Sequence, residues 1–225
     1  MAKRAIIFGA SGLVGSHLLK LLRQSEAFDE VFNFVRKRQF DDEPGYREIV
    51  VDFERLASYS YLIKGDSLFC CLGTTIAKAG SKERFAQVDL ELPVHLSRIA
   101  ERNKIHRFIV ISSLNAHADS SNFYLRTKGE MERLVMASEI PVKRIIRPSL
   151  ILGNRNEVRV AEQLAAFFMR ALSWAFIGRF RKYKAIKATD IAQAMLNLSC
   201  FHYGLEVVES DQLSDIASGR LLPLP

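Results

Sequence analysis

An α/β fold built on a doubly wound parallel sheet is predicted for this 225-residue chain by three observations. Short apolar runs alternate with amphipathic stretches until about Gly153. The runs are apolar at consecutive positions, which suits strands covered on both faces. The first of them leads straight into glycines at 9, 12 and 15 and then into a leucine-rich helix. Right-handed crossovers between such strands collect the connecting loops at the carboxyl edge of the sheet.

Each element follows from its residues. Ala5–Phe8 forms the first strand, and Gly9, Ser11, Gly12, Leu13, Val14 and Gly15 turn it into the helix around Leu18–Leu22. Glu30–Val35 reads as the second strand, Glu48–Phe53 as the third and Ser67–Gly73 as the fourth. Phe108–Ser113 is the fifth and Val142–Arg147 the sixth. Amphipathic helices span Leu90–Asn103 and Phe123–Ser138. Pro93 is tolerated only in a first turn, so the former helix starts near Glu91. The stretch after Asp52 is weakly patterned and predicts a short helix. One domain over residues 1–225 suits this length. From about Gly153 the alternation becomes irregular, and this portion is expected to fold over the site as a small substrate cap.

Bulk properties narrow the function classes. Apolar content of 48% and charged content of 25% are those of a soluble globular protein. No apolar run reaches the roughly twenty residues of a membrane span. Met1-Ala2-Lys3-Arg4 enters the first strand without a long apolar region, so no signal peptide is expected. Cys70, Cys71 and Cys200 are odd in number and lack ligand spacing, which predicts a cytoplasmic setting without structural disulfides. The +7 charge is dispersed, as on a solvated surface that also welcomes an anionic cofactor, and no nucleic-acid partner is expected. His95, His106, His117 and His202 show no metal-ligand pattern, and His17 reads as an ordinary helix residue. No metal is expected. His117, between the paired serines and Tyr124, is a minor candidate for substrate contact. Residues 167–184 carry apolar bulk and then basic residues. Packing on the chain's own domain is the first reading, a substrate lid the second and contact with an anionic membrane the last.

The glycine loop carries a dinucleotide reading. Glycines let the backbone approach a pyrophosphate, and the amides opening the next helix meet its charge. An NAD site usually ends its second strand in a carboxylate. Here the strand runs into Arg36-Lys37-Arg38, with no acid until Asp41, while Asp29 and Glu30 stand at its other end. An arginine there can clamp a 2′-phosphate, so NADP(H) is favoured over NAD(H), with Arg36 as the clamp. Asp52 either bonds the adenine amino group or serves as a turn residue, with Phe53 beside it. Gly73 and Thr74 follow the fourth strand and are expected to line the ribose and pyrophosphate.

Downstream, Tyr124-Leu125-Arg126-Thr127-Lys128 opens a helix. Four apart, Tyr124 and Lys128 share one face. An ammonium near a phenol favours the phenolate, so the tyrosine can act as acid and base nearer neutral pH. The same lysine can hold a nicotinamide ribose. Ser112 and Ser113 end the fifth strand, and either can polarise a substrate carbonyl. Tyr-x-x-x-Lys means little alone; its place after a glycine loop and a strand ending in serine gives it weight.

Together these residues resemble the short-chain dehydrogenase/reductase superfamily. Phe69-Cys70-Cys71-Leu72-Gly73-Thr74-Thr75, Lys78-Ala79-Gly80, Val51-Asp52-Phe53-Glu54, Ser120-Ser121-Asn122-Phe123, Lys128-Gly129-Glu130 and Ala194-Met195-Leu196-Asn197 are similar to its atypical Tat-interacting-protein group. The likeness covers nearly the whole chain, weakening after about Gly153 and past Leu205. It implies an NADP(H)-binding Rossmann fold with Tyr124 as acid/base, Lys128 as its partner, a serine at 112 or 113, and Pro148 beside the nicotinamide. Many relatives carry Pro-Gly there, whereas this chain has Pro148-Ser149, an added side chain able to crowd the ring.

The favoured function is NADP(H)-dependent reduction of a carbonyl on a small substrate. The alternative is a non-catalytic NADP(H)-binding redox sensor, against which the full Ser–Tyr–Lys set argues. A sugar-nucleotide epimerase or dehydratase ranks third, because few residues follow Gly153 for a second nucleotide-binding region. Substrate identity, reaction direction and oligomeric state are left open.

Overall fold

A computed structural model describes residues 3–153 and 178–224. Seven strands form one parallel sheet in the order β3-β2-β1-β4-β5-β6-β9. They are β1 (Arg4–Phe8), β2 (Glu30–Val35), β3 (Tyr46–Val50), β4 (Ser67–Cys70), β5 (Arg107–Ile111), β6 (Val142–Arg147) and β9 (Val207–Glu209). β7 (Ile151–Leu152) and β8 (Ile186–Lys187) pair separately. This is a Rossmann-like α/β arrangement. The winding reverses between β1 and β4, which opens a crevice at their carboxyl ends, where such sheets bind ligands.

The sheet separates two apolar layers. On one face α1 (Leu13–Gln24), α6 (Ala188–Cys200) and α7 (Ser210–Ala217) bury Leu18, Leu22, Ile191, Met195, Leu198, Leu213 and Ile216 against Ile7, Phe69 and Ile109. On the other, α4 (Leu92–Arg102), α5 (Phe123–Met136) and a 3₁₀ segment (Phe53–Leu62) bury Leu56, Ile63, Leu96, Ile99, Met131 and Val135 against Ile6, Leu68 and Phe108. Two short helices, α2 (Ile76–Ala79) and α3 (Lys82–Ala86), lead through a π-helical turn at Gln87–Glu91 into α4.

Several boundaries depart from the sequence reading at the functional edge. β3 stops at Val50 instead of Phe53, because the Asp52 side chain accepts from Glu54 N (3.0 Å) and starts the 3₁₀ segment. β4 and β5 stop at Cys70 and Ile111, short of Gly73 and Ser113, so the chain is free of the ladder where it lines the crevice. The cap expected from about Gly153 onward is narrower among the described residues. α6 covers the sheet beside α1 and β9 extends it beyond β6, so both complete the layers. Much of the segment at 167–184 lies outside the described residues.

Gly129 explains how α5 reaches the edge of the site. A Cβ there would stand 2.1 Å from the His117 carbonyl carbon, so only glycine lets the 114–119 loop cross this helix. Gly129→Ala is expected to lower the unfolding free energy by about 3 kcal/mol or more, through overpacking. Gly80→Ala, at a φ of +81° with no neighbour within 4 Å of a new Cβ, is expected to cost only backbone strain, about 1–2 kcal/mol. Urea unfolding of both variants checks the contrast.

Candidate functional site

The glycine loop is a cradle that side chains would fill. Gly9 has a φ of +86°, and a Cβ on it would meet the Cys71 carbonyl at 2.6 Å. A Cβ on Gly15 would meet Gly9 O at 2.2 Å. Gly12 N donates to Gly9 O (3.0 Å), closing the turn. Gly12 caps α1 without a side-chain acceptor, so the first-turn amides of Leu13, Val14 and Gly15 open the helix without one. Backbone amides converging at a helix N-terminus fit a pyrophosphate. Ser11 is exposed at the same mouth. The residues present therefore fit a dinucleotide.

At the adjoining end of β2, Arg36 is exposed, and no described residue forms a hydrogen bond or ion pair with its guanidinium. Arg38 is tied back instead, donating to Glu48 O at 3.1 Å and pairing with Asp42 at 3.5 Å. Asp52 is exposed and caps the 3₁₀ segment through one carboxylate oxygen. Phe53 packs its ring on Phe8 (centroids 5.9 Å apart), which in turn stacks on Phe34 at 4.7 Å. Both residues thus have structural work at this edge.

The chemistry-bearing side chains gather at the ends of β4 and β5. Asn122 Oδ1 accepts from Leu125 N (3.2 Å) and starts α5, which places Tyr124 and Lys128 one turn apart on one face. The Tyr124 ring rests on buried Phe85 (5.5 Å). Lys128 is only 3% exposed, and its ammonium lies 2.7 Å from Asp89, itself 1% exposed. It also donates to Ile111 O at 3.4 Å. The second Asp89 oxygen accepts from Thr74 N (2.8 Å), so one carboxylate joins the β4 edge to α5. A Cβ on Gly73 would stand 3.4 Å from Asp89, which keeps this approach close. Burial is the largest single influence and disfavours the Lys128 ammonium, but Asp89, Tyr124 and Cys70 together outweigh it and hold the lysine above its ordinary value. Burial also pushes the Cys70 thiol up to about 12, so it remains a neutral core group.

The two serines have different surroundings. Ser112 is buried, and its hydroxyl donates to Glu132 Oε1 at 2.5 Å. Glu132 also receives Arg147 Nε (3.0 Å), and Arg147 reaches Glu209 (3.2 Å) and Ala116 O (3.2 Å). Ser113 is half-buried, with one long bond to Leu114 O at 3.4 Å. Pro148 is buried and its carbonyl accepts from Leu114 N (3.0 Å). The Ser149 hydroxyl, the departure noted above, is engaged by Lys184 O (2.5 Å) and Ser210 Oγ (2.9 Å). His117 is exposed and accepts from Asp119 N, a local turn contact.

Asp89, Glu132 and Arg147 escaped the sequence reading. A lysine on the inner face of α5 demands a carboxylate partner, and that signal was available. Which carboxylate serves was not, because the π-helical turn at Gln87–Glu91 shifts the phase of the helix that presents Asp89.

A glycine cradle at the β1–β4 reversal, with a tyrosine and a buried lysine at the ends of β4 and β5, defines an NAD(P)-binding Rossmann protein of short-chain dehydrogenase/reductase type. The chain belongs to the NAD(P)H-binding family, which it matches over residues 9–197. It is 34% identical over 201 residues to Protein HTATIP2 of Rattus norvegicus, covering 87% of this chain and 80% of that one. It is also 34% identical over 158 residues to Protein FMP52, mitochondrial, of Debaryomyces hansenii, covering 68% of this chain and 69% of the relative. The fold is shared with the Bordetella bronchiseptica enzyme WbmH in complex with NAD+, at a TM-score of 0.64 and 16% identity, over 88% of this chain and 72% of that one. These relatives make it an atypical member of the superfamily. The cytoplasmic setting expected from the cysteines is corrected by the yeast relatives, which are named mitochondrial. Among the described residues no helix is long and apolar enough to cross a membrane.

Lys128→Met is expected to strand the buried Asp89 charge and to cost about 3–5 kcal/mol, whereas Lys128→Met with Asp89→Asn costs less, as urea unfolding at neutral pH will measure. The pH dependence has a definite sign. The folded-state pKa of Lys128 is raised, so its contribution is fully present below the unfolded lysine value and is lost as pH rises through the folded one. The stability difference between parent and double variant should stay flat between about pH 6 and 9 and fall only above about 10.4.

Proposed function

We propose that the protein is an NADP(H)-dependent oxidoreductase that reduces a carbonyl on a small-molecule substrate. The observation that carries this reading is the Lys128–Asp89 pair, buried one turn from Tyr124 at the edge where the glycine cradle opens. Holding a nicotinamide ribose needs the lysine alone; a phenol fixed beside it adds a proton source. It serves a protein that must deliver a proton.

The cradle of Gly9, Gly12 and Gly15, with the amides of Leu13 and Val14, would hold the pyrophosphate. Gly73 and Thr74 would line the ribose side, and Asp52, Phe53 and Pro148 the two ends. The guanidinium of Arg36, engaged by no described residue, supports a 2′-phosphate contact and hence NADP(H). When bound, the reduced nicotinamide supplies hydride to the carbonyl carbon. Tyr124 holds the proton given to the carbonyl oxygen as negative charge develops there, and the ammonium of Lys128 stabilises the phenolate left behind. Asp89 keeps that ammonium in place. Ser113 would donate to the same oxygen, because the Ser112 hydroxyl is spent on Glu132.

A panel of aldehydes and ketones, followed by NADPH oxidation, tests this reading. Tyr124→Phe should lower kcat about 10²-fold or more and leave NADPH affinity within about twofold. Turnover undiminished in that variant would eliminate the proposed acid. Tight NADPH binding without turnover on any carbonyl would favour the redox-sensing alternative.

A further inference from the structure

The chain reverses sharply after β2, and the arch at 36–42 is held by one buried side chain. Glu48, on β3, is 3% exposed. Its Oε2 accepts from the backbone N–H groups of Gln39 (2.7 Å) and Phe40 (3.1 Å). Its Oε1 accepts from Asn33 Nδ2 (3.1 Å) and from the Tyr46 hydroxyl (3.0 Å). Burial pushes the Tyr46 phenol up to about 12, so the hydroxyl keeps its proton and remains a donor. The Glu48 backbone closes the clamp: its N–H donates to Asp42 (2.9 Å) and its carbonyl accepts from Arg38 (3.1 Å).

Four donors on one carboxylate are far more than a surface turn requires. Glu48 lies opposite Asn33 in the β2–β3 register, so the clamp is anchored in the sheet. What it fixes is the backbone just beyond Arg36, while Arg36 alone of the arch's two arginines is left unengaged by any described residue. The geometry points to Glu48 as a positioning residue for cofactor choice: it pre-orders the 36–42 arch so that Arg36 meets a 2′-phosphate without first ordering the loop. This rests on the reading that the site takes NADP(H) through Arg36. A contact whose loop is already ordered loses less conformational entropy on binding. The benefit falls only on a ligand that carries the 2′-phosphate.

Direct binding of NADPH and of NADH to the full chain tests this, with backbone amide exchange as a second readout. Glu48→Ala should raise the NADPH Kd about tenfold and leave the NADH Kd within about twofold. The amides of Gln39 and Phe40 should exchange faster. Glu48→Gln, which keeps a carbonyl oxygen for those two amides, should restore most of the preference. A folded Glu48→Ala protein with the parent's NADPH-to-NADH ratio overturns the inference. If Glu48→Ala does not fold, Asp42→Ala loosens the same arch from the surface, and an unchanged ratio there overturns it equally. Arg36→Ala separates this inference from the reading beneath it. If Arg36→Ala binds both cofactors like the parent, the Arg36 reading falls and the inference with it. If Arg36→Ala loses the preference while Glu48→Ala keeps it, only the role of Glu48 falls.

Discussion

Removing an ammonium and a carboxylate from water costs several kcal/mol for each ion, and their mutual attraction repays this only when the geometry is close and the remaining polar atoms find partners. Lys128 and Asp89 meet those terms. Their 2.7 Å contact is supplemented by Thr74 N on the carboxylate and by Ile111 O on the ammonium. The pair therefore ties α5, the turn before α4 and the ends of β4 and β5 into one unit. Alter any of these four and a buried charge loses its partner. Tyr124 inherits its position from this arrangement, since it rides one turn before the lysine with its ring on Phe85.

Much of this was legible from the residues. Strands apolar on both faces declare a covered parallel sheet, and β2 and β6 fall where the sequence puts them. Gly9, Gly12 and Gly15 are readable because steric need fixes their identity, and the structure supplies the atoms a Cβ would strike. Tyr124 and Lys128 are readable because a helix converts a spacing of four into a shared face. Legibility fails where partners are distant in sequence. Nothing local to Asp89 says that it faces residue 128, and nothing local to Glu48 says that it faces residues 39 and 40. The short strand β9 is too brief to carry a pattern and forms because β6 offers an open edge. Asp52 illustrates a milder failure: a strand residue and a cap residue have the same sequence signature until the hydrogen bond is seen.

The two ends of the crevice are organised on one physical plan. At each, a buried carboxylate fixes the segment that carries the cation. At the tyrosine end Asp89 is used directly, since the lysine's charge is needed but its mobility is not. At the arginine end the carboxylate of Glu48 gives its acceptor capacity to Asn33, Tyr46, Gln39 and Phe40. A saturated carboxylate offers little to a passing guanidinium, so it can stiffen a loop without competing for the cation that loop carries.

The same reasoning separates Ser112 from Ser113, which adjacency in sequence leaves equivalent. Ser112 turns toward α5, where Glu132 accepts its hydrogen bond and is itself held by the Arg147 guanidinium. A hydroxyl in a charge-assisted bond of this kind is a fixed strut, because freeing it to meet a substrate would leave a buried carboxylate short of a donor. Ser113 has only a 3.4 Å bond to its neighbour's carbonyl, an interaction weak enough to be exchanged for a better acceptor. Of two like side chains, the one the protein leaves poorly satisfied is the one with a hydrogen bond still to give.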